Sequence, residues 1–509
     1  MNKKVMILLL ILFLFMGGMP VHALEKKDRI WEDESVYRIV IDRFNDANLE
    51  NNKNVDVTKQ GKFNGGDFAG IQKKLDYIKD MGFTVISLSP IFETEKDRFN
   101  DYSIEDFYKT EQHYGSLQEF KQLVKEAHKK KLKVMIEMPT LSVGRNHPWT
   151  KDPGKADWFV KDPKAIGEDG SLVQASWIDG LPRLNQEKPE VHSYLVNVAK
   201  WWIKKSDIDG FYIPFVEEVP ASLWKDFNQE MKKTKKNMYV VGMDASGDMA
   251  KAASYQQAGF DGMINVSSVN AIRKAFASSD NRLKSPLQEV QVAQKLFKQP
   301  RLNENLIDEL FTTRFTQDIV QSKRNPATAW NLALTYLYTI PGIPSILYGS
   351  EIAVNGGRYP DNAQFMGFKA DKEIIDHLTK IGKLRQELPA LTRGTFSVLY
   401  NQDGLAVYKR SYKNEVIVVV VNNSSKTKRV TLTSEQLAKK KELRGLLAGD
   451  LAREKNGKYH IVIEREKSEV YALTDKTGIN MGFIGAIIAV WVAFAIFIFF
   501  VMKRSKRNQ

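Results

Sequence analysis

Short apolar, β-branched runs recur along the first three-quarters of the chain, at residues 37–41, 83–88, 132–138, 210–215, 239–243, 262–266, 310–315 and 345–348. Each is bounded by polar or turn-forming residues and predicts a strand. Between most of them apolar residues repeat at i, i+3/i+4 spacing, as at 68–81 and 117–130, which predicts amphipathic helices laid on a sheet. Eight strands, each followed by helical sequence, predict an α/β fold, a parallel (β/α)8 TIM barrel over 24–390. One segment breaks the rhythm. Residues 139–185 are polar and carry Gly, Pro and Trp, and predict a subdomain inserted after strand three. From 391 to 475 the period switches to two, as in Ala406-Val407-Tyr408 and 416–421, which predicts a separate C-terminal antiparallel β domain.

The two ends follow other patterns. Lys3 and Lys4 precede an apolar run over 5–15 and a small-residue exit closing with Val21-His22-Ala23, so residues 1–23 read as a secretory signal peptide. Residues 481–502 carry no charge; as a helix at about 1.5 Å per residue they reach roughly 33 Å, enough to cross a hydrocarbon core. Lys503, Arg504, Lys506 and Arg507 follow at once, so 503–509 reads as a basic cytoplasmic tail behind one transmembrane helix. The expectation is a single-pass cell-membrane protein whose body lies outside the cytoplasm.

Composition narrows the classes. With 43% hydrophobic and 11% aromatic residues in 509, the chain is neither disordered nor collagen-like. The absence of cysteine excludes disulfides, thiol catalysis and cysteine-ligated metal centres. Much of the net charge of +14 sits in the two ends, and no stripe of Arg or Lys interleaved with aromatics marks a nucleic-acid surface. The mild basic bias that remains suits anionic cell-wall polymers.

Several connected stretches then stand out. Tyr37 precedes Asp42-Arg43-Phe44; Gly65-Gly66-Asp67 and Gly70-Ile71 follow; Leu75-Asp76-Tyr77-Ile78 leads to Leu88-Ser89-Pro90-Ile91-Phe92. Further on come Leu181-Pro182-Arg183-Leu184-Asn185, Asp209-Gly210-Phe211, Pro341-Gly342-Ile343-Pro344 and Tyr348-Gly349-Ser350-Glu351. In this order, one per strand or turn, they resemble the alpha-amylase family of glycoside hydrolases (family 13) over about residues 31–475.

That resemblance implies a barrel whose strand ends carry a nucleophilic carboxylate and a protonated acid about 5–5.5 Å apart. The family's nucleophile follows Gly-Phe-Arg on strand four; here Gly210-Phe211 is followed by Tyr212-Ile213-Pro214, so Tyr212 stands for the arginine and Pro214 for the nucleophile. Its acid follows Val-Gly on strand five, and Val241-Gly242 is followed by Met243. After strand three, Leu141 and Ser142 stand for an Asn and a His, and Glu137 for an Asp. After strand seven, Thr316-Gln317-Asp318 stands for Asn-His-Asp, which leaves Asp318 as the retained carboxylate. A sugar-gripping Asp and Arg align with Tyr359 and Ala363. Pro214 has no oxygen to attack a sugar and Met243 no proton to give, so no catalytic set is intact.

Neighbouring acids offer little on this reading. Asp244 alternates to the strand face opposite Met243, and Glu217 and Glu218 read as a solvated or helix-N-terminal acidic pair. Tyr102 matches a sugar-stacking tyrosine and, with Asp318, is a candidate for glycan binding; Tyr348 is weaker, and packing is the alternative for both. Trp149 reads as core of the insertion and His147 as a structural histidine. No cofactor is implied. No metal is expected either: the family's calcium ligands align with Leu141 and Arg183, which supply no side-chain oxygen and a positive charge.

The function expected is therefore a cell-surface, membrane-anchored pseudoenzyme that binds an alpha-glucan or cell-wall glycan, or a membrane or wall protein. The alternative is an active alpha-glucan hydrolase or transferase with a rearranged site.

Overall fold

The computed structural model describes residues 28–59, 61–96, 99, 101–160, 180–369, 371–476 and 481–505. The expected signal peptide, much of the insertion and the end of the basic tail lie outside the described residues. The first barrel strand, Val36–Ile39, pairs in parallel with Val85–Leu88 on one side and Ile343–Leu347 on the other. From the second strand the ladder continues through Lys133–Glu137, Gly210–Ile213, Tyr239–Asp244 and Gly262–Asn265. The eighth strand carries the two-residue seventh, Glu304–Asn305, on its far side. Strands buried on both faces read as continuous apolar runs, which is why Val85-Ile86 and Val240-Val241 are fully enclosed.

A side chain closes the seam between strands six and seven. Asn303 Oδ1 accepts the Met263 N–H at 3.1 Å. Glycine permits the approach: a Cβ on Gly262 would stand 2.0 Å from the Leu302 carbonyl oxygen, far inside contact distance.

Two expectations need correcting. The seventh strand is Glu304–Asn305, upstream of the apolar run at 310–315. That run is buried as a turn over the barrel end, and its last residue opens the helix Phe315–Gln321. The helical pattern at 68–81 is two helices, Phe68–Lys73 and Leu75–Asp80, broken at Lys74 with ψ near 4°. The helix Leu117–Lys129 forms as its sequence predicts, with Ser116 and Glu119 in a reciprocal cap. A hairpin of Phe92–Thr94 and Ile104–Thr110 rises after strand two. In the insertion, His147 and Asp152 cap the single turns Pro148–Lys151 and Pro153–Trp158, and two bridges, Ser142 with Arg183 and Phe159 with Leu184, tie its ends together.

Beyond the barrel, six antiparallel strands form one sheet and Lys428–Thr433 pairs with Lys458–Ile463 in a second. The period of two has a clear cause. Leu405, Val407, Val418 and Val420 face the second sheet across their own core. Ala406, Tyr408, Ile417 and Val419 face the barrel helices. Polar contacts fix that junction: Tyr408 and Thr339 hydroxyls meet at 2.6 Å, and Arg324 Nη1 donates to Asn423 Oδ1 at 2.9 Å. The chain ends in the helix Met481–Ser505, whose apolar side chains from Ile487 to Met502 are exposed, Trp491 by 67%. Among the described residues it is the one helix long and apolar enough to cross a membrane.

Candidate active site at the barrel mouth

Strands three, four, five and seven deliver their last residues to one end of the barrel, where this fold builds its sites. Tyr212, near the end of strand four, is buried and its Oη donates to Met243 Sδ on strand five at 3.2 Å. Pro214 follows, buried, and the chain then turns at Phe215 with φ +56°. A phenol and a thioether from neighbouring strands thus meet here, with the Pro214 ring two residues beyond the phenol.

Carboxyls stand beside them. Glu137 ends strand three, 6% exposed, and accepts a hydrogen bond from Tyr102 Oη. Burial pushes its carboxyl up to about 8, against the opposing pull of the Arg38 charge. Arg38 comes from strand one, lies 3.9 Å from the centre of the Tyr212 ring, and is ion-paired with Glu309, four residues past strand seven. Glu304 on strand seven is buried and raised to about 7 by that burial. Arg38 thus pairs with Glu309, and its charge also opposes the upward push that burial gives Glu137 and Glu304.

An aromatic layer covers the group. Phe311 packs 4.7 Å from the Phe215 ring and 6.3 Å edge-on to Tyr102. A cavity of about 470 Å³ lies apart from this group, lined by Leu141, Phe159, Arg183, Asn185, Glu218 and Pro220 among others and by none of Glu137, Arg38, Glu309 or Phe311.

The other candidates fall in distinct places. Asp318 lies in the helix Phe315–Gln321, not at a strand end, and accepts from Arg273 Nη2 at 2.7 Å and Nε at 3.0 Å. The register that assigned it to strand seven fails because that strand ends at Asn305. Tyr102 is 3% exposed, its hydroxyl on Glu137. Tyr348 is buried and donates to the Gln364 carbonyl at 3.0 Å. Ala363 is buried, whereas Tyr359 is half-buried with its ring 6.4 Å from Phe99. His147 accepts the Trp149 N–H and burial lowers it to about 4; Trp149 packs edge-on against Trp158 and Tyr194.

The acidic pair after strand four is not a solvated one. Glu218 is bound by Arg183 at 2.6 Å. Glu217 accepts the Ala245 N–H at 3.1 Å, and burial, with Asp244 nearby, raises it to about 8. Asp244 is fully buried and accepts from Ser246 N–H. Gly242, two residues earlier on the same strand face, packs against Val216 and Phe260 of the outer layer, so Asp244 faces that layer, not the barrel axis. A calcium site does not fit here. Leu141 has no side-chain oxygen, Arg183 brings a cation, and no cluster of three or more His, Asp or Glu able to hold a metal occurs among the described residues.

Sequence reasoning passed over Arg38 and Glu309. Arg38 left a signal, a charge inside a strand enclosed on both faces; Glu309 left none, since its partner lies 271 residues away.

Comparison with known proteins decides the family. The alpha-amylase catalytic-domain model matches residues 38–389, and the alpha-amylase C-terminal-domain model residues 394–471. The chain belongs to the alpha-amylase family. An alpha-amylase from Anoxybacillus is 44% identical, with a TM-score of 0.84 over 89% of this chain and 100% of that one. The alpha-amylase of Geobacillus thermoleovorans, solved with acarbose, is also 44% identical, with a TM-score of 0.83 over 88% of this chain and 100% of that one. A cyclomaltodextrinase of Thermoanaerobacter pseudethanolicus is 31% identical over 81% of this chain and 74% of its own length. Of the longer beta/alpha-amylase of Paenibacillus polymyxa, 27% identical over 87% of this chain, the chain spans 38%. These relatives bear the names of enzymes, which overturns the expectation of an inert scaffold that only binds a glycan or a protein partner.

Proposed function

We propose that the chain is an alpha-glucan hydrolase or transferase of the alpha-amylase family working from a rearranged site. In this reading Pro214 and Met243 stand where the family carries its nucleophile and acid, so the chemistry falls to the carboxyls that remain at the strand ends. One observation carries the reading: Glu137 and Glu309 are both buried beside Arg38, but Glu309 is ion-paired with it while Glu137 is held by the Tyr102 hydroxyl. Glu137, raised to about 8, holds a proton at neutral pH and is the candidate acid for the leaving oxygen. Glu309, paired with a guanidinium, is the candidate carboxylate for the developing positive charge on the sugar ring. A carboxyl that keeps its proton beside one held by a cation gives the acid and carboxylate assignments of a glycosidase. The Phe311 cover must move aside for a sugar to reach them.

The reading also places the chain in the cell membrane, with Met481–Ser505 as a single anchor and the folded body outside the cytoplasm. The support is the exposed apolar surface of that helix and the basic residues Lys503 and Arg504 at its end.

The test is reducing-sugar release by the full chain in detergent on starch, maltooligosaccharides, pullulan and cyclomaltodextrins. Release lowered by about 10²-fold or more in Glu137→Gln and Glu309→Gln supports the assignment. Absence of release from every substrate overturns it.

A further inference from the structure

We propose that the end of the C-terminal β domain from which the chain departs is a polybasic surface that lies on anionic lipid headgroups; this rests on the reading of Met481–Ser505 as a membrane anchor. The last strand, Lys467–Asp475, stops close to that helix. The five steps from Lys476 to Met481 span at most about 17 Å at 3.3–3.6 Å per residue. Whatever the path, the sheet end at Asp475, one step further back, stays within about 22 Å of the helix start.

Charge at this sheet end is lopsided. Lys441 opens the neighbouring strand directly opposite Asp475 and binds it at 2.7 Å. Lys476 binds Glu454 at 3.1 Å, and the same carboxylate accepts the Lys440 backbone N–H at 3.3 Å. The Lys455 N–H donates to the Lys458 carbonyl at 2.9 Å, turning the next hairpin back at the same end. These contacts gather Lys440, Lys441, Lys455, Lys458 and Lys476 at one sheet end, with Lys439 next in the chain. The acids there are Glu435, Glu442, Glu454 and Asp475, and the last three are already paired with Arg444 and Arg453, Lys476, and Lys441 respectively. Lys439, Lys440, Lys455 and Lys458 are exposed and have no ion-pair partner among the described residues.

Such a face fits an anionic bilayer better than any partner needing shape. Each lysine near an anionic membrane strengthens association by roughly fivefold, and the attraction extends over a Debye length of about 10 Å at 0.1 M salt. The tether is short enough for the four free ammonium groups to come within that range. The consequence is a fixed posture, with the C-terminal domain seated on the membrane and the barrel above it.

The absence of cysteine allows a direct test. A fluorophore on Glu435→Cys in the full chain reports quenching by a headgroup-nitroxide lipid. Vesicles are of phosphatidylcholine alone or with a quarter phosphatidylglycerol. Quenching about twofold or more stronger in the anionic vesicles is expected, falling to the neutral level in about 0.5 M salt. It should fall likewise when Lys439, Lys440, Lys455 and Lys458 are all changed to Gln. Equal quenching in both vesicles, with the chain resisting alkaline carbonate extraction, overturns the surface and leaves the anchor standing. Release of the chain by carbonate overturns both.

Discussion

Replacing Glu137 with Gln isolates the proton at the barrel mouth. In the folded chain burial holds the carboxyl up to about 8 against the pull of Arg38; in the unfolded chain it titrates near 4.3, as glutamates do. Between those values the folded chain binds one proton more than the unfolded chain, so this group's contribution to stability falls as pH rises. The slope is about 1.4 kcal/mol per pH unit. Across the window the loss sums to about 5 kcal/mol, absent near pH 4 and complete above pH 8. Gln keeps the shape and an oxygen that accepts from Tyr102, but has no charge to desolvate. The variant should therefore exceed the wild type by about 1 kcal/mol at pH 5 and by about 5 kcal/mol at pH 9. Urea unfolding of both proteins from pH 5 to 9, followed by tryptophan fluorescence, measures the difference. A difference that does not change with pH refutes the idea that Glu137 holds a proton at neutrality, and with it the acid role.

Other outcomes follow from the same structure. Arg38→Met leaves Glu309 buried without its cation, and should cost about 3–5 kcal/mol in urea unfolding at pH 7; a cost under about 1 kcal/mol would mean that the pair is solvated. Gly262→Ala forces a methyl group against the Leu302 carbonyl and should lower the melting temperature sharply, whereas an unchanged value would show that the seam between strands six and seven is loose. EDTA should leave the melting temperature unmoved, since Leu141 and Arg183 supply no calcium ligand; a fall reversed by calcium contradicts this. Removal of residues 477–509 should release the protein from the membrane fraction, and continued sedimentation with membranes would sink the anchor.

Much of the barrel was legible because a parallel strand enclosed on both faces leaves an unmistakable apolar run, as at Val85–Leu88 and Tyr239–Asp244. Strand seven was not. Its two residues, Glu304 and Asn305, are polar letters in a buried place, while the louder apolar run downstream is the Phe311 cover. An apolar run states that residues are buried, not which element buries them. That same misreading carried Asp318 to a strand end it does not occupy. The junction of the two domains was legible only as a change of period; the contacts that fix it, such as Arg324 with Asn423, join residues 99 apart. The site divides along the same line. Pro214 and Met243 were readable from their local neighbours, Gly210-Phe211 and Val241-Gly242. The Arg38–Glu309 pair and the protonated Glu137 arise from packing between distant segments, and Glu217 looked solvated until Asp244 and the Ala245 backbone closed around it. Burial of a charge is a tertiary fact.

The most direct measurement is the rate of maltoheptaose cleavage by the full chain as a function of pH, with Glu137→Gln and Glu309→Gln measured alongside. A working Glu137–Glu309 pair predicts turnover that declines as pH rises through about 8, the acid having lost its proton, and that drops by about 10²-fold or more in either variant. No cleavage at any pH, or cleavage that both variants retain in full, contradicts it.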